Sequence, residues 1–241
     1  MSFLAVIATG TFLLAAFSPQ NAAVLAGAIA TILFALLMLG KRNGVLMAPL
    51  AIGAPLMAHF VSLAAPARWS ILGVSWVLLM WCFSDMRARA RGAPLVRERI
   101  ELFFFAGSFT LLVVAFMGAA SFTVSAPFLL GGVGLLGAFA VAVLRLLAEQ
   151  VRAVPPHPIP IALDAVVAGL FLAEIFVALS FLPLSPLALA AILTVFAWTL
   201  STLFALSRSA MLNAQAVLRV GVLATGITAA LIATISLNAV V

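Results

Sequence analysis

Apart from charged residues at the very ends of the long apolar runs, three ionisable side chains lie inside these runs, namely His59, Asp164 and Glu174. Glu174 stands near the middle of its run, ten residues after Asp164, a separation of about 15 Å along a helix. An acidic side chain at that depth of a bilayer costs roughly 3 kcal/mol, so we expect it to face a partner, a cavity or a water path. It would act either as a neutral hydrogen-bonding link between helices or as a relay for protons or cations. Asp164, near the membrane boundary, is expected to be a helix N-terminal residue favoured by the dipole.

His59 follows a segment that contains Pro49, Gly53 and Pro55. Proline removes a backbone donor and clashes with the preceding turn, so we expect this helix to kink or break near its centre. Many transporters build a midplane site from a broken helix with an ionisable group nearby. Proline and glycine also occur in membrane helices that have no binding role. If His59 and Glu174 met, they would form a relay pair.

The longest charged stretch of the chain is expected to be a short basic cytoplasmic loop at about 85–99. Its arginines are Arg87, Arg89, Arg91, Arg97 and Arg99. We expect them to contact anionic lipid headgroups, with a gain of about 1 kcal/mol for each residue near the surface. The alternative is a phosphate-binding face for a lipid-linked substrate. Asp85, Glu98 and Glu101 neighbour these arginines and are interpreted as charge balance.

Several classes of site have no signature in the sequence. Cys82 is the only cysteine, which excludes a disulfide framework and a cysteine-rich metal centre. The sequence contains no nucleophile elbow, no zinc-protease motif and no phosphate-binding loop. We therefore expect no catalytic residue, no metal site and no cofactor. The net charge of +6 comes from loop arginines, so we expect no nucleic-acid partner.

The elements that position these residues are predicted to be membrane helices. Hydrophobic residues make up 66% of the chain and charged residues 7%, whereas soluble domains are about a quarter charged. A helix needs roughly 20 apolar residues to cross a bilayer. The predicted runs are 2–17, 21–39, 44–65, 69–84, 100–124, 126–147, 160–182, 186–206 and 218–240. We expect one all-α transmembrane domain over 1–241 with nine spans, or eight as the fallback.

The basic residues predict the orientation of these spans. With the N-terminus inside, nearly all lysines and arginines fall in cytoplasmic loops and only Arg68 falls outside, as the positive-inside rule requires. We therefore expect a cytoplasmic N-terminus, an external C-terminus and the inner membrane of a prokaryote. The first run lacks the basic region and the cleavage site of a secretory signal, which favours a retained helix over a removed one.

Small residues at helical spacing predict where helices approach each other closely. One side of the sixth span carries only small side chains at Gly131, Gly134 and Ala138. The last span carries small residues at four-residue spacing, in a ladder from Gly221 through Thr225 and Ala229 to Ala233. Packing within the chain is the expected role of these residues. Association with a membrane-protein partner or a second copy is the alternative.

The stretch 173–183, which reads Ala-Glu-Ile-Phe-Val-Ala-Leu-Ser-Phe-Leu-Pro, resembles part of an uncharacterised family of bacterial multi-span membrane proteins. In that family an intramembrane glutamate is followed by a similar helix end and another long span. The resemblance covers about 164–206. It implies a bacterial origin, a multi-span architecture and a shared role for Glu174, but no activity.

The leading functional hypothesis is a structural or partner-binding integral membrane protein without enzymatic activity, because ionisable groups in the spans are so few. The first alternative is a small secondary transporter or proton-coupled permease that uses Glu174 and His59. The second is a lipid-modifying enzyme that uses the arginine loop.

Overall fold

The computed structural model describes residues 7–13, 22–40, 47–60, 65–91, 97–121, 125–152, 158–208 and 213–238. These ranges contain nine helices and no strand, which confirms the all-α class. The first helix, α1, covers 7–13. The others are α2 (Ala22–Gly40), α3 (Ala48–Phe60), α4 (Ala65–Ala90), α5 (Arg97–Ala120), α6 (Ala126–Arg152), α7 (Pro158–Ser180), α8 (Pro186–Arg208) and α9 (Ala214–Asn238).

Helix starts follow the turn chemistry of the sequence. The Ser185 hydroxyl accepts a hydrogen bond from the Ala188 amide at 3.3 Å, one turn into α8. The Asn213 side chain accepts one from the Ala216 amide at 2.7 Å at the start of α9. Serine and asparagine are favoured at this position because they satisfy amides that have no partner inside the helix.

Four of the described helices are long and apolar enough to cross a membrane. These segments are Arg99–Ala120, Ala126–Val143, Ile161–Ser180 and Pro186–Phe204. Three shorter apolar helical segments cover Ala23–Met38, Ala48–Met57 and Ala214–Ala230. Length and composition therefore define a helical membrane protein.

The described part of the basic segment expected as a loop at 85–99 is helical except at Arg91. Helix α4 continues to Ala90, Arg91 lies in a turn and α5 begins at Arg97. Arginine, alanine and methionine are good helix formers, so a helix can continue past its apolar part once it reaches water.

Helix α3 differs from its prediction in length and in shape. It has 13 residues, or about 20 Å, whereas the sequence predicts a span over 44–65. It continues without interruption through Pro55, and Pro49 lies in its first turn, where a missing amide costs little. Helix α3 therefore has no break at Pro49, Gly53 or Pro55, and the expected kink stays a prediction.

The chain forms two compact units, Met1–Val114 and Ala115–Val241. In the first unit, α3 is the most buried element, with Leu50, Ala51 and Ala54 fully covered. A Cβ atom on Gly53 would lie 2.8 Å from the carbonyl oxygen of Gly107 in α5, so these two backbones nearly touch. Protein around α3 lets a short helix with prolines persist, because its backbone groups are shielded from lipid. A single domain over 1–241 stays a prediction.

In the second unit, α6 and α7 make the closest backbone contact. A Cβ atom on Gly169 would lie 2.6 Å from the carbonyl oxygen of Gly134 and 3.3 Å from the Cβ atom of Ala138. The predicted packing role of Gly134 and Ala138 is therefore confirmed. Gly131 has open space around it.

The predicted ladder on α9 does not pack in this way. Gly221, Thr225 and Ala229 are exposed, and a Cβ atom on Gly221 would meet nothing within 4 Å. The side chain of Ala233 lies outside the described residues.

We predict that Gly169→Ala destabilises the second unit. The new methyl group would press on the backbone of Gly134, and such overpacking destabilises a protein by about 1–3 kcal/mol. The higher helix propensity of alanine offsets up to about 1 kcal/mol of this loss. Gly132→Ala is the matched control, because its methyl group would enter open space. Thermal unfolding of the purified protein in detergent measures both; equal midpoints for the two variants would contradict the packing described here.

Candidate functional site

Glu174 lies on the exposed side of α7. The covered side of this helix carries Ala168, Leu172 and Phe176, which are at most 4% exposed. The Phe176 ring packs on Phe116 with 4.6 Å between ring centres. Glu174 is about 9 Å along the axis from the end of the helix at Ser180, well inside the candidate span. Its side chain thus lies on the side of α7 away from the core of the second unit, within the candidate span Ile161–Ser180.

Beside Glu174, the surfaces of α6 and α7 form an open groove of about 630 Å³. Glu174 is its only ionisable lining residue. The other residues that line the groove are all apolar: Leu130, Gly131, Gly134, Leu135, Ala138, Val166, Gly169, Leu170, Ala173 and Val177. The groove exists because glycines at its floor bring the two helices together and leave no side chains to fill the space above them.

Many hydroxyl groups in the described helices bond to a carbonyl of their own helix. The Ser180 hydroxyl donates to the Phe176 carbonyl, and the Thr194 hydroxyl donates to the Ala190 carbonyl, both at 2.7 Å. Ser201 repeats this bond to Ala197 at 2.7 Å. Such bonds one turn back remove the need for a partner on another helix. Glu174 differs, since it makes no hydrogen bond or ion pair with the described part of the chain.

Asp164 is buried, with 5% of its surface exposed, and it is not free of interactions. Helix α7 begins at Pro158 and has no acidic residue in its first turn. The expectation that Asp164 is an N-terminal residue was therefore wrong, because the dipole effect fades beyond the first turn.

His59 belongs to α3, and its side chain lies outside the described residues. It is part of the first unit, whereas Glu174 is part of the second. A relay pair of His59 and Glu174 stays a prediction.

The arginine segment contains an ion pair that the sequence did not predict. Arg99 donates to a carboxylate oxygen of Asp85 at 3.0 Å, with the Asp85 side chain 4% exposed and the Arg99 side chain 50% exposed. Next to it, the Trp81 and Phe103 rings meet edge to face at 5.2 Å. This pair therefore joins α4 to α5. The available signal was charge, since Asp85 is acidic and lies close in sequence to the arginines of this segment.

The other arginines of this segment have different surroundings. Arg87 is half-buried and Arg91 is exposed, while the side chains of Arg89 and Arg97 lie outside the described residues. Their contact with anionic headgroups, and a phosphate-binding face for an enzyme, stay predictions. In the described ranges no three histidine, cysteine, aspartate or glutamate side chains come together as a metal site would require.

The fold and the four candidate spans thus define the class as a helical membrane protein. No protein-family model, no curated protein and no solved structure matches this chain. The resemblance around Glu174 consequently stays a hypothesis.

We predict that Arg99→Gln weakens the contact between α4 and α5. A hydrogen bond to a charged group contributes about 1.5–3 kcal/mol, and we expect the lower end because half of the Arg99 side chain is exposed. Arg91→Gln is the matched control, since Arg91 is exposed in a turn and its loss should change stability by less than about 0.5 kcal/mol. The free energy of unfolding of both variants tests this; an unchanged value for Arg99→Gln would mean that the pair is not stabilising.

Proposed function

We propose that this protein is a multi-span protein of a prokaryotic inner membrane that acts by binding a partner within the bilayer. In this proposal it has nine spans, a cytoplasmic N-terminus and an external C-terminus, and the arginines of 85–99 contact anionic headgroups on the cytoplasmic side. The observation that carries the proposal is the exposed carboxyl group of Glu174 beside the groove between α6 and α7.

The energetic cost of Glu174 supports a binding role. A charged or unsatisfied acid facing lipid costs roughly 3 kcal/mol, and no described residue bonds to Glu174 to offset that cost. A partner helix that brings a polar group to this depth would offset it. The glycine floor of the groove supports the same conclusion, because small residues let a partner backbone approach closely.

A second candidate function is a small secondary transporter that uses Glu174 and His59. The observation that favours it is α3, a buried helix of 13 residues with an internal proline. Short or interrupted helices near the midplane form binding sites in many transporters. In this alternative Glu174 exchanges protons during transport.

We predict that Glu174→Gln and Glu174→Leu separate the two candidates. Glutamine keeps a donor and an acceptor at the same depth but cannot exchange a proton, whereas leucine removes both. For a partner-binding protein, glutamine should preserve the complex and leucine should weaken it about 3- to 30-fold, as expected for a membrane hydrogen bond of 0.6–2 kcal/mol. For a transporter, both variants should abolish proton-coupled flux.

The measurement is the size of the complex in native membranes solubilised in mild detergent, together with proton flux in vesicles that contain the purified protein. A complex that leucine leaves intact would contradict the partner-binding proposal. Flux that glutamine leaves unchanged would contradict the transporter.

We also predict that a reporter fused after Val241 is external and that one inserted between Arg91 and Arg97 is cytoplasmic. Eleven of the twelve lysine and arginine residues fall inside in the proposed topology, as the positive-inside rule requires. A pair of enzymatic reporters, one active only in the cytoplasm and one only outside, makes the measurement. A cytoplasmic C-terminus would leave an even number of spans and refute the nine-span topology.

A further inference from the structure

We infer that the groove beside Glu174 is occupied by α7 of a second copy of this chain, so that the two Glu174 carboxyl groups meet at a two-fold axis along the membrane normal. This inference rests on the proposed partner-binding function and names the partner.

The first argument is that this surface is self-complementary. A two-fold interface uses the same patch on both subunits, so the patch must contain both a ridge and the groove that receives it. Helix α7 supplies a ridge whose members follow one another at three- or four-residue spacing: Val166, Leu170, Glu174 and Val177 are all exposed. The groove floor with Gly131 and Gly134 runs directly beside this ridge. The ridge of one copy can therefore enter the groove of the other.

The second argument is depth. Any occupant must bring a polar group to the level of Glu174, about 9 Å from the end of α7. A two-fold axis along the membrane normal places identical residues of both copies at the same depth. A second copy therefore brings its own Glu174 to the required level without any further condition on its sequence.

The third argument is the chemistry of the pair. A protonated carboxyl group donates one hydrogen bond and accepts others, so two such groups can satisfy each other without a basic residue. Lipid tails could fill the groove but offer neither a donor nor an acceptor. An interhelical bond of this kind contributes about 0.6–2 kcal/mol in membranes, and the ridge and groove contacts add packing on both sides of it.

A cysteine cross-linking experiment on the full chain tests this inference. Leu170→Cys introduces a thiol on the ridge, one turn from Glu174. The wild-type protein is its background, because Cys82 is the only cysteine and is fully buried. Disulfides form only when the Cβ atoms come within about 4.5 Å. With the purified protein in lipid vesicles and a mild oxidant, we expect a disulfide-linked dimer.

Leu223→Cys on α9 is the control for random collision, since Leu223 is 56% exposed and Leu170 is 63% exposed. We expect little dimer at this position. Equal dimer yields at both positions would overturn the inference.

Two adjacent glycines supply a matched test of the groove itself. Gly131 and Gly132 are both exposed, and a Cβ atom on either would meet nothing within 4 Å. Of these two glycines, only Gly131 lines the groove. In the Leu170→Cys protein, we expect Gly131→Leu to abolish the dimer and Gly132→Leu to preserve it. Thermal unfolding of both variants checks that they fold; a dimer that survives Gly131→Leu would overturn the inference.

The same thiol, carrying a photo-activated cross-linker in native membranes, distinguishes this inference from the function on which it rests. Suppose that the thiol cross-links to a different protein and that no dimer forms in membranes or in vesicles. This result would overturn the inference of a second copy and would leave the partner-binding proposal intact. The absence of every adduct, with a complex size unaffected by Glu174→Leu, would overturn both.

Discussion

Close backbone packing at glycines is the interaction on which this structure depends. Lipid tails are as apolar as the helices they surround, so helix association relies on close contact rather than on hydrophobic burial. Gly134 and Gly169 bring α6 against α7, and Gly53 and Gly107 bring α3 against α5. The first contact also fixes the rotation of α7, because the side with Gly169 must face α6. The exposure of Glu174 follows from that rotation.

Glu174 differs from several other polar side chains of the described helices in its lack of a hydrogen-bond partner among the described residues. The hydroxyls of Ser180, Thr194 and Ser201 bond to carbonyls of their own helix, and Asp85 is paired with Arg99. The hydroxyl bonds remove the need for a partner on another helix, and the ion pair gives the Asp85 carboxylate a partner within its own unit. Glu174 has no such arrangement with the described residues. In the proposed function, a partner covers the surface on which this group lies, because an acid that faces lipid is expensive.

Individual residues show how far the sequence could predict the site. The predicted run at 186–206 matches α8 at Pro186–Arg208, and Glu174 was identified from its depth in an apolar run. The placement of Asp164 in the second turn of α7, the short α3 and the Asp85–Arg99 pair were not predicted. The placement of Asp164 follows from the start of α7 at Pro158. The short α3 and the ion pair depend on where another helix lies, and local composition carries no information about that.

By itself, the sequence determined the class of protein, because a bilayer demands long apolar runs and tolerates few charges within them. It also predicted that Glu174 would lie inside such a run, and Glu174 does lie within the candidate span Ile161–Ser180. Only the tertiary structure decided that Glu174 faces outward beside a groove rather than inward as a link between α7 and its neighbours in the second unit. The reason is rotational: apolar residues surround α7 on every side, so no polar face sets its orientation, and the contact between Gly134 and Gly169 does.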